Sequence, residues 1–146
     1  MATVHSWGSP STTLTSYLTT ELNSLANAAY TAASSAIDNR TNKHQWMLVH
    51  VHLASLTPTG SPYVALYLLP AFDATVYVDG GGAVAPPANT LVAVMDLSTS
   101  AGAKERSAMF MIPPSLFKLV LYNGAGPSLA ASANTVAGNS FAELDT

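Results

Sequence analysis

The sequence predicts an all-β chain, an antiparallel two-sheet sandwich of jelly-roll type. Three observations predict it. Beyond Gln45 the apolar residues alternate or fall into short stretches rich in β-branched and aromatic side chains. Turn clusters rich in Gly, Pro, Asn and Ser separate those stretches at close intervals. No long helical period runs through the last two-thirds of the chain. About seven or eight short strands bounded in this way fold most economically as two packed sheets.

Residues 1–13 are rich in Ser, Thr, Gly and Pro and read as an extended arm, leaving residues 14–146 as a single sandwich domain. In residues 13–37, Leu14, Leu18, Leu22 and Leu25 recur at helical spacing, but the Ser and Thr around them are mediocre helix formers. A short helix over residues 18–27 and a small-residue strand over residues 29–37 are both open readings. Residues 38–42 form a turn cluster. Residues 45–54 alternate, with Met47, Val49, Val51 and Leu53 on one face and Trp46, Leu48, His50 and His52 on the other. Both faces are apolar or amphipathic, which marks a central strand. A turn at 57–62 leads to a strand over residues 63–69 that Pro70 ends. Residues 71–89, with Gly80-Gly81-Gly82 and Pro86-Pro87, read as a long loop carrying a short strand near 75–78. Strands follow at 90–97, 106–112, 116–122 and 135–141. Pro113-Pro114 stops the second of these, and Asn123-Gly124 reads as the turn after the third.

At 146 residues the chain can bury roughly 68–70% of its unfolded surface without disulfides or metal. Only 9% of residues are charged, against 49% hydrophobic; soluble domains usually carry about 25% charged residues. A surface so poor in charge is weakly protected against self-association, which points to a chain that works within an assembly. The net charge is −3 and the five basic residues are scattered, so no basic footprint for nucleic acid or an anionic membrane exists. No cysteine is present. The first ten residues hold neither a basic nor an apolar leader segment, and the expectation is a chain made and used without export by the usual route.

The candidate chemical groups each have a plainer reading. His50 and His52, two apart on one strand, face one side and have the spacing of two zinc ligands, with His44, Asp73 or Asp79 as conceivable third donors. The plainer reading is a pair of half-buried or interface histidines. Gly80-Gly81-Gly82 lacks the Lys-Ser/Thr and the strand–loop–helix frame of a phosphate loop and reads as a flexible loop tip. No Gly-x-Ser-x-Gly elbow occurs, and the acids are scattered. Trp7, Trp46, Tyr63, Tyr67, Tyr77 and Tyr122 could form an aromatic platform for sugars, but Trp46, Tyr67 and Tyr122 fall in strands, where core packing is expected. The expectation is therefore no catalytic, cofactor-binding or metal-binding residue and no enzyme.

Three segments carry a resemblance. They are Leu22-Asn23-Ser24-Leu25-Ala26-Asn27-Ala28-Ala29-Tyr30 with Ile37-Asp38-Asn39; Tyr63-Val64-Ala65-Leu66-Tyr67-Leu68-Leu69-Pro70-Ala71-Phe72-Asp73; and Ile112-Pro113-Pro114-Ser115-Leu116-Phe117-Lys118-Leu119-Val120-Leu121-Tyr122-Asn123 with Ala130-Ala131-Ser132-Ala133-Asn134-Thr135. Together they resemble small structural proteins of tailed-bacteriophage virions, in particular jelly-roll cement or decoration proteins on HK97-type capsids. Ala74, where the pattern often has Gly, and residues 124–127, where it has a Thr-Gly pair, depart from it. The resemblance implies a virion protein on the capsid exterior that stabilises the head by binding between major capsid subunits, as a homo-oligomer, dimer or trimer. It carries no catalytic motif. The alternatives are a tail, neck or fibre-associated sandwich, with or without carbohydrate binding, and a small cupin-like metal enzyme built on His50 and His52.

Overall fold

In the computed structural model, which describes residues 5–7 and 13–145, two antiparallel sheets stack face to face. The strands are β1 (His5–Trp7), β2 (Thr15–Leu18), β3 (Ala29–Tyr30), β4 (Ile37–Asp38), β5 (Trp46–Leu56), β6 (Tyr63–Pro70), β7 (Leu91–Asp96), β8 (Gly102–Met111), β9 (Leu116–Gly124), β10 (Thr135–Phe141) and β11 (Glu143–Asp145). One sheet has the order β2-β10-β5-β8. The other runs β3-β9-β6-β7, with β4 also paired to β9. Taking β3 and β4 as two ends of one interrupted strand, every connection from β2 to β10 crosses between the sheets, except the one joining β6 to β7. That is the winding of a jelly roll, as the strand and turn spacing predicts.

The core lies between the sheets. From β5 come Met47, Val49, Val51 and Leu53, from β6 Val64, Leu66 and Leu68, and from β9 Phe117, Leu119 and Leu121, nearly all fully buried. Strand period two puts each set on one face. The central position expected for the 45–54 segment holds: β5 lies between β10 and β8, in register Phe141↔Trp46 on one side and Trp46↔Met111 on the other.

The interruption between β3 and β4 is bridged by side chains. The Thr31 and Ser34 hydroxyl oxygens accept the amides of Leu121 and Leu119, both at 3.0 Å, while the amides of Thr31 and Ser34 donate back to the carbonyls of Leu121 and Leu119. Two hydroxyls thus stand in for strand carbonyls, and β9 keeps its hydrogen bonds where its neighbour departs from strand geometry. Among the described residues no buried side-chain polar atom lacks a partner.

Several local expectations are corrected. The leucine period at 14–25 forms no α-helix: Leu18 ends β2 and Leu22 closes a three-residue 3₁₀ turn, Thr20–Leu22, both fully buried, while Leu14 is exposed. The 29–37 segment is strand only at its two ends. No strand forms near 75–78, where a single bridge, Ala71↔Tyr77, is made. Asn123-Gly124 is the end of β9 and not a turn, because Asn123 is buried and its side chain ties loops together. β1 pairs with β11 in a ladder of its own, Trp7↔Glu143 to His5↔Asp145. The rest of the expected arm, residues 1–4 and 8–12, lies outside the described residues, as does residue 146.

Residues 71–89 do not project as a free loop. They lie on the outer face of the β3-β9-β6-β7 sheet and cover Leu69 and Val120, which point outward yet are buried. Gly81 permits this. Its φ is +96°, its amide donates to the Val84 carbonyl, and a Cβ there would sit 2.9 Å from the Ala33 nitrogen.

Candidate functional site

The feature with the plainest consequence is the side of the sandwich where β7 and β8 end their sheets. β8 has ten residues, and its one strand partner among the described residues is β5, in unbroken register from Trp46↔Met111 to Leu53↔Lys104. The two edges meet, and the Arg106 guanidinium clips them: Nε donates to the Asp96 carbonyl at 2.5 Å and a terminal nitrogen to the Glu105 carbonyl at 2.7 Å. The charged residues of β8 are confined to Lys104, Glu105 and Arg106. Lys104 is withdrawn further, 4% exposed with its ammonium on the Ser100 carbonyl. The remaining length, Ser107-Ala108-Met109-Phe110-Met111, has no charge and no proline. Exposed edges in soluble proteins are normally blunted by such residues.

Apolar side chains flank this edge on both faces. Of the nine large hydrophobic side chains exposed among the described residues, Leu48, Leu91, Val94, Met109 and Met111 lie on β5, β7 and β8. Leu48 stands directly opposite Met109. A cleft of about 230 Å³ opens at the Met111 end, with Leu68, Val92 and Pro113 in its walls. That is smaller than the roughly 300–1,000 Å³ typical of small-molecule sites and suits an inserted side chain better than a substrate.

At the other end of the same face, His50 and His52 share one carboxylate. Cross-strand pairing sets Glu105 opposite His52, and each carboxylate oxygen takes one ring: His52 Nδ1 donates to Oε1 at 2.5 Å, and His50 Nε2 lies 2.7 Å from Oε2. The His52 hydrogen bond, followed by the charges of both imidazoles, holds the Glu105 carboxyl below the usual glutamate range. The sequence foresaw the paired histidines but not Glu105, 53 residues away. His44, Asp73 and Asp79 are not brought in. His44 lies near the start of β5 with Nδ1 2.8 Å from the Ser140 hydroxyl, and Asp73 caps its own turn by accepting the amides of Thr75 and Val76, which lowers its pKa. Among the described residues no group of three His, Asp or Glu side chains is arranged to hold a metal ion; the two imidazoles bond opposite oxygens of one carboxylate. The trio latches the central strand to the edge strand, and its three side chains are partly open to solvent.

Gly80-Gly81-Gly82 forms no anion cradle. The Gly81 and Gly82 amides are taken by the carbonyls of Val84 and Thr31, so the expected flexible tip is a docked segment.

The expected core placement of Tyr67 and Tyr122 is also corrected. Tyr63, Tyr67 and Tyr122 point outward from the β3-β9-β6-β7 sheet and are half-buried against one another and Tyr30, which the sequence did not single out. Trp46 lies on the outward face of the other sheet, opposite Met111, and Tyr77 packs under the Lys118 ammonium at 4.3 Å. Trp7 lies outside the residues whose side chains are described. Burial first, then the hydroxyl and charge of a neighbouring tyrosine, raise the phenol pKa of Tyr67 and Tyr122. No helix among the described residues is long and apolar enough to cross a membrane. No protein-family model matches the chain, and no curated protein matches it in sequence.

Proposed function

We propose that this protein is a non-enzymatic structural component of a tailed-bacteriophage virion. In this reading it is a cement or decoration protein that binds the outside of an HK97-type head between major capsid subunits, as a homo-oligomer, dimer or trimer. The observation that carries the reading is the uncharged half of β8 at the sandwich edge, with exposed Leu48, Val94, Met109 and Met111 on its flanks. A neighbouring chain laid along it gains backbone partners and buries apolar surface in one contact. Symmetry repeats that contact many times over a shell, so modest individual contacts sum to strong retention against internal pressure. The resemblance in the three sequence segments supplies the virion context, and the 9% charge content fits a surface meant to be covered.

The test is to mix the purified protein with heads assembled without it, at low and high salt. Binding that persists in high salt is expected, because few ion pairs are available to be screened. A protein that stays monomeric and unbound rejects the role, and binding that collapses in moderate salt refutes the apolar mechanism.

A further inference from the structure

From the outer face of the β3-β9-β6-β7 sheet, we infer that Tyr63 and Tyr122, flanked by Tyr30, Tyr67 and Asp96, form a binding platform for a neutral glycan. Gly124 sets the attitude of the first ring. It stands opposite Tyr63 across β6 and β9, and a Cβ there would lie 2.9 Å from the Tyr63 ring. Tyr63 therefore lies down across the glycine and stays half-exposed.

Tyr122 stacks against it, inclined by 29° with ring centroids 5.8 Å apart. Tyr30 closes one border, 4.9 Å from Tyr122, and meets Tyr67 edge-on at 5.9 Å. Ala65 points outward between these rings and is nevertheless only 2% exposed, as expected if the tyrosines lean over it.

The chemistry of the platform selects the ligand. Flat aromatic faces receive the C–H face of a pyranose, and the phenol hydroxyls at their rims donate to and accept from sugar hydroxyls. Asp96 pairs with Tyr63 across β6 and β7, which places an exposed carboxylate at the rim where it can accept from vicinal hydroxyls. Single-stranded nucleic acid also stacks on aromatic rings, but it needs a cationic groove. Here the rim carries Asp96, and Lys118, further along the face, is turned onto Tyr77. An acidic glycan is disfavoured on the same ground.

The experiment is titration of the full chain with cellohexaose, chitohexaose and maltohexaose, read by tyrosine fluorescence and calorimetry, with a decaproline peptide as the competing ligand class. Saturable binding of at least one oligosaccharide is expected. Tyr63→Ala or Tyr122→Ala should weaken it about tenfold or more, whereas Tyr63→Phe, which keeps the ring, should weaken it only a few-fold. Thermal melts verify that each variant folds, and the wild-type titration stands without them. Absence of saturation with all three sugars overturns the inference. So does binding that the alanine variants leave unchanged, or binding of decaproline in place of sugar.

Discussion

Asn123 is the side chain on which the loop end of the sandwich most depends, and Asn123→Ala should cost about 3–5 kcal/mol. The magnitude follows from its partners. Asn123 is fully buried; its Nδ2 donates to the carbonyls of Leu25, Ala26 and Pro127 at 2.9, 3.1 and 3.1 Å, and its Oδ1 accepts the Ala125 amide at 3.0 Å. Two N–H groups shared among three carbonyls are worth about 2 kcal/mol net, at roughly 1 kcal/mol per hydrogen bond. Removing Oδ1 strands the amide of Ala125, itself fully buried, at a further cost of about 1–3 kcal/mol. The total is a large share of the roughly 5–15 kcal/mol by which domains are stable. Asn123→Asp keeps the acceptor for Ala125 but aims a carboxylate at three carbonyl oxygens, so it should cost no less at neutral pH. Urea unfolding followed by far-UV circular dichroism gives the values. A loss under about 1 kcal/mol for Asn123→Ala would refute the reasoning.

Other outcomes follow from the same geometry. Glu105 should titrate below the ordinary glutamate range; because its folded pKa is depressed, its contribution to stability is present above that range and lost as pH falls through the lowered value. Carbon-detected NMR titration measures this, and His52→Gln should move the Glu105 midpoint upward. Gly81→Ala should destabilise by about 1–3 kcal/mol, since it puts a Cβ against the Ala33 nitrogen at a positive φ; the thermal melt reports it, and an unchanged melting temperature would mean that the 71–89 segment is not docked. Phe117→Ala, in the middle of the core, should cost about 3–5 kcal/mol in the same urea assay.

Much of the fold is legible because its central strands carry their own evidence. In β5 the residues Met47, Val49, Val51 and Leu53 alternate with amphipathic partners, and β10 runs over the 135–141 span its pattern indicates. The first third misleads for a physical reason. Leu18 and Leu22 are four apart, as on a helix face, but they reach the core from a strand end and a 3₁₀ turn, and β3 and β4 are held by the hydroxyls of Thr31 and Ser34. Asn123-Gly124 reads as a turn because the dipeptide says nothing of the three carbonyls that Asn123 gathers from distant loops. Tyr67 and Tyr122 read as core because they fall in strands; both faces of β6 and β9 are apolar, since the loop over Leu69 and Val120 buries outward positions, so alternation alone cannot say which face is inside. Glu105 could not be joined to His50 and His52 without the β5–β8 register.

In the proposed role, the uncharged half of β8 is the contact through which this protein joins a virion shell. Hydrogen–deuterium exchange of the β8 amides, for the free protein and for protein mixed with heads assembled without it, tests this most directly. Those amides of residues 107–111 that do not bond β5 in the free chain should become strongly protected on binding, and Met109→Lys should abolish both the protection and the binding. Heads that bind the protein while these amides exchange as fast as in the free chain would contradict it.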